Sequence, residues 1–197
     1  MPPTIVQAEE TYAMLGSRDV WDTARDCATA LRQQGLPVAM VGGVAVCLHG
    51  YRRNTVDVDV LVRREDAVLV RETLEEAGYV WDPEQREFAS PTGIPVQFLL
   101  SGEPAGDDTS YGVYLPDPSE PEVTMQLEGL PVVSLSRLIA LKLACGLGSV
   151  RRAYRDLADV VELIAANHLG RDFARHLPKS LRKEFRELVL RARGGGK

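Results

Sequence analysis

Apolar residues recur along this chain with two different periods, and the switches between them mark its elements. From about 20 to 34, Val20, Trp21, Ala24, Ala28 and Leu31 follow a 3.6-residue repeat that Gly35 stops, which predicts a helix. Residues 4–15 predict another helix before it. Val38–Val41 is a short unbroken apolar run, the pattern of a buried strand. After Gly42-Gly43 comes a short apolar helix from about Val44 to Leu48, ended by Gly50. A basic loop, Tyr51–Thr55, leads to a second strand in which Asp57 and Asp59 alternate with Val56, Val58 and Val60. Arg64–Gly78 predicts an amphipathic helix through Val68, Val70, Leu74 and Ala77, acidic near its start and closed by Gly78.

Short strands are predicted near Tyr79–Trp81 or Glu87–Ala89 and over Pro95–Leu100, with a turn at Pro91–Gly93. Residues 101–121 are rich in Gly, Pro and Asp and predict a long surface loop, functional or a mobile spacer. Glu122–Val133 predicts a hairpin turning at Glu128-Gly129. The last third is helical. Ser134 is placed to cap Leu135–Cys145, which Gly146 or Gly148 ends. A long helix covers about Arg152–Asn167, and a basic helix, about Leu181–Arg193, precedes a GGGK tail. This order predicts an α/β (α+β) protein: a mixed sheet flanked by helices over residues 1–133, and a C-terminal helical region, 134–197, packed on it.

Composition narrows the class. A chain of 197 residues with 45% apolar content can bury one good core. No apolar run approaches a membrane span and the first residues lack a signal pattern, so the expectation is a cytoplasmic protein without a membrane partner. Cys27, Cys47 and Cys145 sit in apolar helical patterns, read as buried thiols, and have no zinc-like spacing. The net charge of −5 is uneven. Residues 1–170 hold 14 Lys/Arg and 25 Asp/Glu, and residues 171–197 hold 9 and 3. The basic end is either an RNA-facing tail or a solvated helix docked on an acidic body.

Candidate chemistry centres on Val38–Val62. Two carboxylates at i and i+2 on a strand share a face, where they repel and raise each other's pKa. A divalent cation removes that penalty, and Mg²⁺ accepts carboxylate oxygens. The glycine pair lies at a strand-to-helix junction, where bare backbone N–H groups favour a phosphate. A metal-binding pair of acids facing a phosphate cradle supplies the parts for phosphoryl or nucleotidyl transfer.

The stretch GGVAVCLHGYRRNTVDVDVLV resembles the DNA polymerase β-type nucleotidyltransferase superfamily, whose signature is a Gly-Gly or Gly-Ser turn followed by Asp-x-Asp on the next strand. It looks closest to the small bacterial AbiEii toxin-like nucleotidyltransferase proteins, and KLACGLGSVRRAYRDLADVVELI looks like that family's C-terminal helices. The resemblance implies transfer of an NMP from an NTP to an acceptor hydroxyl on RNA (tRNA), a protein or a small antibiotic, with a cognate antitoxin or toxin as partner. It implies Mg²⁺ (or Mn²⁺) on Asp57 and Asp59, with Gly42 and Gly43 against the β- and γ-phosphates. The family's third metal carboxylate falls at Gln97, a neutral amide. That departure implies a catalytically impaired nucleotide-binding, antitoxin or regulatory protein as the alternative, unless Glu87 or Asp107/Asp108 substitutes.

Other residues keep two readings. Arg52 and Arg53 clamp the triphosphate or lie in a solvated turn, or else neutralise Asp57 and Asp59 in a domain without nucleotide chemistry. Thr55 bonds a phosphate or caps the strand. Lys142, mid-helix among apolar neighbours, meets a phosphate or snorkels to solvent. His49 is packed or exposed. Asp156 and Asp159, one turn from Arg152 and Arg155, read as helix-supporting ion pairs.

Overall fold

The computed structural model describes residues 18–194. Helix α1 (Arg18–Gln33) leads into strand β1 (Val38–Met40), helix α2 (Gly42–Leu48) and strand β2 (Val58–Val62). A 3-10 turn (Arg64–Asp66) opens helix α3 (Ala67–Glu76), followed by β3 (Val80–Asp82), β4 (Glu87–Ala89) and β5 (Pro95–Leu100). After a long connection come β6 (Thr124–Leu127), β7 (Leu130–Val133), α4 (Leu135–Gly148) and α5 (Val150–Ala166). Two 3-10 segments then precede α6 (Arg182–Gly194).

The seven strands form one mixed sheet in the order β3-β4-β5-β2-β1-β7-β6. β2 runs antiparallel to β1 and parallel to β5, so it has partners on both edges. That central position explains its composition: Val58, Val60, Leu61 and Val62 are all buried. Each fully buried side chain of this kind contributes about 1.5–3 kcal/mol. Val62, Phe98 and Leu100 share one face with Ala67 and Val70 of α3, while Asp59, Gln97 and Leu99 share the other with Leu138 and Leu141 of α4. One apolar core runs from Val20 through the sheet to Val189 of α6, so the C-terminal helices share the core of the α/β part. Among the described residues no helix is long and apolar enough to cross a membrane.

The expected α/β (α+β) class is what the chain adopts, with local differences. Both candidate strands before β5 exist and pair as a hairpin. Strand β2 begins one residue after Asp57, and Val56 is 62% exposed, because the loop from Tyr51 stays out of the sheet until Val58. Val68, expected on the apolar side of its helix, is 70% exposed; Val70, Thr73 and Leu74 face inward. The Glu128-Gly129 turn is as expected, with φ of 48° and 82°. Ser134 stands at the N-cap of α4, yet its hydroxyl makes no cap hydrogen bond and is buried without a partner. The helix expected over residues 4–15 and the last residues of the GGGK tail lie outside the described residues.

The connection from 101 to 121 is folded rather than slack. Gly102 and Ala105 donate backbone hydrogen bonds to Leu115 and Val113, and Leu115 donates back to Glu103. Pro104 and Tyr114 form a bridge, and the Ser180 hydroxyl holds the Tyr111 carbonyl. Ala105 and Leu115 are thereby buried against the C-terminal helices. We call this segment the flap.

Candidate functional site

The site forms where β1 hands over to α2. The two glycines are the first residues of that helix, and neither has a free side for a Cβ. A Cβ on Gly42, whose φ is +53°, would overlap the Asp59 carboxylate; one on Gly43 would overlap the Thr55 hydroxyl. The bend and the acids therefore meet in van der Waals contact. Backbone pairing fixes this: the Val41 N–H donates to the Asp59 carbonyl at 3.0 Å, locking the end of β1 to β2.

Asp57 and Asp59 open into one cavity of about 460 Å³ together with Gly42, Gly43 and Gln97. The Thr55 hydroxyl is buried and donates to Asp57 Oδ1 at 2.9 Å, so this residue orients an acid. Burial, with Asp57 alongside, pushes the Asp59 carboxyl up to about 6, against the pull of Lys142, Arg152 and Arg155. Gln97 is in register with Asp59 across the parallel β2–β5 pair, on the same face. The position the family gives to a third carboxylate is thus beside Asp59, occupied by an amide. Of the candidate substitutes, Asp107 reaches the cavity wall. Asp108 instead caps a 3-10 turn through Ser110, and that hydrogen bonding holds its carboxyl below the usual range. Glu87 sits on β4, with β5 between it and β2, and lines no part of the cavity.

The opposite wall is cationic and was mostly missed by sequence reasoning. Arg151, Arg152 and Arg155, from the first turns of α5, line the cavity with Ser149 at the helix N-cap. Among the described residues Arg151 and Arg155 have no ion-pair partner, and Arg152 has only a 3.8 Å approach to Asp156. Of the helix-support pairs expected for Asp156 and Asp159, Arg152–Asp156 is present at 3.8 Å, and both aspartates, which face inward, also make longer-range contacts. Asp159, 1% exposed, takes two hydrogen bonds from the Arg53 guanidinium at 2.7 and 3.0 Å. Lys142 Nζ reaches Asp156 at 2.6 Å and Asp159 at 2.9 Å. Arg53 and Lys142 together hold the Asp159 carboxyl below its ordinary value against the cost of burial.

These contacts decide several open readings. Lys142 neither snorkels nor waits for a phosphate as a lone charge; two aspartates hold it at the cavity wall. Arg53 lines the cavity but spends its fork on Asp159, so it does not neutralise Asp57 or Asp59, and Arg52 stands outside the cavity lining. His49 is buried, and its Nε2 bonds the Val133 carbonyl at 2.8 Å.

Asp57 and Asp59 offer carboxylate oxygens in a place where Gly42 leaves no room for anything but the acid, which fits a hard divalent cation. Among the described residues no group of three or more His, Cys, Asp or Glu side chains is placed to hold a metal. The fit is to a cation held by two carboxylates that completes its shell with phosphate and water, the usual habit of Mg²⁺ at nucleotide sites.

No protein-family model matches the chain. No curated protein matches it either. Solved structures do. The chain is similar to ANT(2″)-Ia in complex with adenylyl-2″-tobramycin, with a TM-score of 0.56 and 16% identity over 84% of this chain and 96% of that one. It is also similar to a putative nucleotidyltransferase from H. pylori, at a TM-score of 0.53 and 16% identity over 88% and 81% of the two chains. JHP933 from Helicobacter pylori gives a TM-score of 0.53 at 16% identity over 95% and 92%. At that identity the likeness establishes the fold, and the fold is that of the nucleotidyltransferases.

Proposed function

We propose that this protein is a nucleotidyltransferase that binds an NTP with Mg²⁺ or Mn²⁺ and transfers its NMP to an acceptor hydroxyl. One observation carries the reading. Paired acids and unpaired arginines face each other across a single cavity without touching, so the charges are satisfied by a ligand that bears both signs. A metal-bound triphosphate is such a ligand. A cation on Asp57 and Asp59 supplies charge neutralisation and lowers the pKa of the attacking hydroxyl.

The chain's own residues do the rest. Arg151, Arg152 and Arg155, at the positive end of α5, take the β- and γ-phosphates, the charge that grows on the leaving pyrophosphate. Gly42 and Gly43 let Asp59 and Thr55 close onto the strand-to-helix bend, and Thr55 keeps Asp57 aimed into the cavity. Asp159 and Asp156 position Arg53 and Lys142 at the wall. The experiment is binding of Mn²⁺·ATP and the other NTPs by equilibrium dialysis, followed by label transfer from α-labelled NTP. Asp57→Asn should abolish both while leaving the unfolding temperature unchanged or higher, since it removes a like-charge pair. Undiminished binding in that variant sinks the proposal.

A second reading has its own observation. Gln97 beside Asp59 supplies neither charge nor a base, which favours a protein that holds the nucleotide and transfers slowly or not at all, as an antitoxin or regulatory partner would. Binding without transfer in the natural chain, with transfer gained in Gln97→Asp, supports that reading. The AbiEii-like resemblance favours RNA or protein as acceptor and a toxin–antitoxin pair. The tobramycin adduct seen with ANT(2″)-Ia favours a small molecule.

A further inference from the structure

A second cavity, about 230 Å³, opens beside the first and shares Gly42, Asp59, Gln97, Lys142, Arg152 and Asp156 with it. Asp57 and Arg155 line the first cavity only. The second is walled by the flap, through Ala105 and Leu115, and by α4, through Leu138, Leu141 and Cys145, with Val41 and Leu99 as its floor. It is less polar than the phosphate cavity: Leu99, Leu115, Leu138 and Leu141 give it an aliphatic side, and its polar groups are gathered at the shared side and at Glu103.

We infer that this flap-walled cavity is the acceptor subsite and that the acceptor is a small hydroxylated molecule with an apolar flank, not an RNA end. The inference rests on the nucleotidyl-transfer reading and gives that site its substrate class. In-line displacement fixes the side. Arg151 and Arg155 line only the first cavity and Leu99, Leu115 and Leu138 only the second, so with the pyrophosphate leaving toward Arg151 and Arg155 the attacking oxygen comes from the aliphatic end of the second cavity. The acceptor O–Pα bond forms as the Pα–O bond to the β-phosphate breaks. Pyrophosphate departs with that electron pair, and the hydroxyl proton passes to water in the shared opening.

The lining argues the class. Single-stranded RNA is held by aromatic platforms and a cationic groove that tracks its backbone. Among the described residues this cavity has no aromatic ring, and its two cations, Lys142 and Arg152, lie on the wall shared with the phosphates. The two cavities together have the scale of a small-molecule site, and the flap packs against α4 at Gly106, where a side chain would crowd the Cys145 backbone.

The test uses the full chain with α-labelled NTPs and Mn²⁺, given either the low-mass ultrafiltrate of a cell extract or deproteinised total RNA. Label should move into a low-mass product and not into RNA. Leu115→Trp, which fills the cavity, should cut that transfer about a hundred-fold, the scale of a misplaced reactant, while Mn²⁺·ATP binding stays within about two-fold. If the variant does not fold, capping the half-buried Cys145 with methyl methanethiosulfonate on the unaltered chain makes the same comparison. Label on RNA, or transfer untouched by both treatments, overturns the inference. Nucleotide binding without transfer to either fraction overturns the acceptor subsite and leaves the nucleotide site standing. Absence of nucleotide binding overturns both.

Discussion

Gly42→Ala is the perturbation that tests whether bend and acids form one unit. Two glycines in the left-handed region supply a matched pair: Gly42 at φ +53° and Gly35, which ends α1, at φ +70°. A Cβ at Gly35 meets nothing within 4 Å, so Gly35→Ala carries only the backbone penalty, about 1–2 kcal/mol. At Gly42 the same penalty applies, and the added carbon also displaces the Asp59 carboxylate. Asp59 belongs to a strand paired on both edges, so it cannot retreat as a unit and its side chain must rotate away. Overpacking of that kind adds about 1–3 kcal/mol. For a chain of this size each kcal/mol shifts the unfolding temperature by about 2–4 °C. Calorimetry should therefore place Gly42→Ala several degrees below Gly35→Ala. Dialysis should show Mn²⁺·ATP affinity lost by at least about ten-fold in Gly42→Ala and kept in Gly35→Ala, since only the former turns away one of two metal-facing carboxylates. Equal stability and equal affinity in the two variants would refute the geometry on which the site depends.

Three further outcomes follow from the same contacts. Asp159→Asn leaves the Arg53 side chain, 14% exposed, without its carboxylate and Lys142 with Asp156 alone, and should lower urea-derived stability by about 3 kcal/mol. Glu75→Gln, which breaks the exposed Arg71–Glu75 pair, should cost under about 1 kcal/mol; similar losses would show the inner cluster to be ordinary surface charge. Gln97→Asp restores a carboxylate beside Asp59 and should raise label transfer on the order of a hundred-fold; no gain would remove Gln97 from the chemistry. His49 is held below its ordinary pKa of 6.5 by burial, so the unfolded chain binds the proton more readily below that pH. Stability should be undiminished by this group above about 6.5 and decline as the pH falls from there, and His49→Gln should flatten the decline in unfolding temperature between pH 7 and 5.

Much of the fold was legible because local signals sufficed. The apolar run at Val38–Val41, the stop at Gly35 and the Glu128-Gly129 turn each act within a few residues of themselves. What escaped depended on distant partners. Val56 and Asp57 look like strand by alternation, but the sheet pairs from Val58 onward, and no local pattern fixes where a partner strand ends. The flap reads as slack from its Gly, Pro and Asp content. Its order comes from Ala105 and Leu115 being covered by helices more than twenty residues away. The inward partners of Asp156 and Asp159 escaped for the same reason, since Arg53 and Lys142 lie 106 and 14 residues from their partners. A signal was there: Asp156 falls within the apolar stripe of α5 that carries Val160 and Leu163, and Lys142 within an apolar helix. A lone acid and a lone base on two inward faces imply each other.

The glycine pair shows how a correct motif can carry the wrong reason. Sequence reasoning assigned Gly42-Gly43 to a phosphate. The structure gives both glycines a sufficient cause inside the protein, because a Cβ at either one would occupy the space of Asp59 or Thr55. The pair would therefore be required in this fold even by a protein that binds no nucleotide. The weight moves to groups that no internal contact explains. Lys142 and Arg53 are satisfied by aspartates, whereas Arg151 and Arg155 face Asp57 and Asp59 across open space with none. Charges of opposite sign held apart at a cavity wall lose favourable Coulomb energy that collapse onto each other would recover. An arrangement that forgoes it leaves room for an occupant, and the one we propose, a cation bound to polyphosphate, would satisfy both walls.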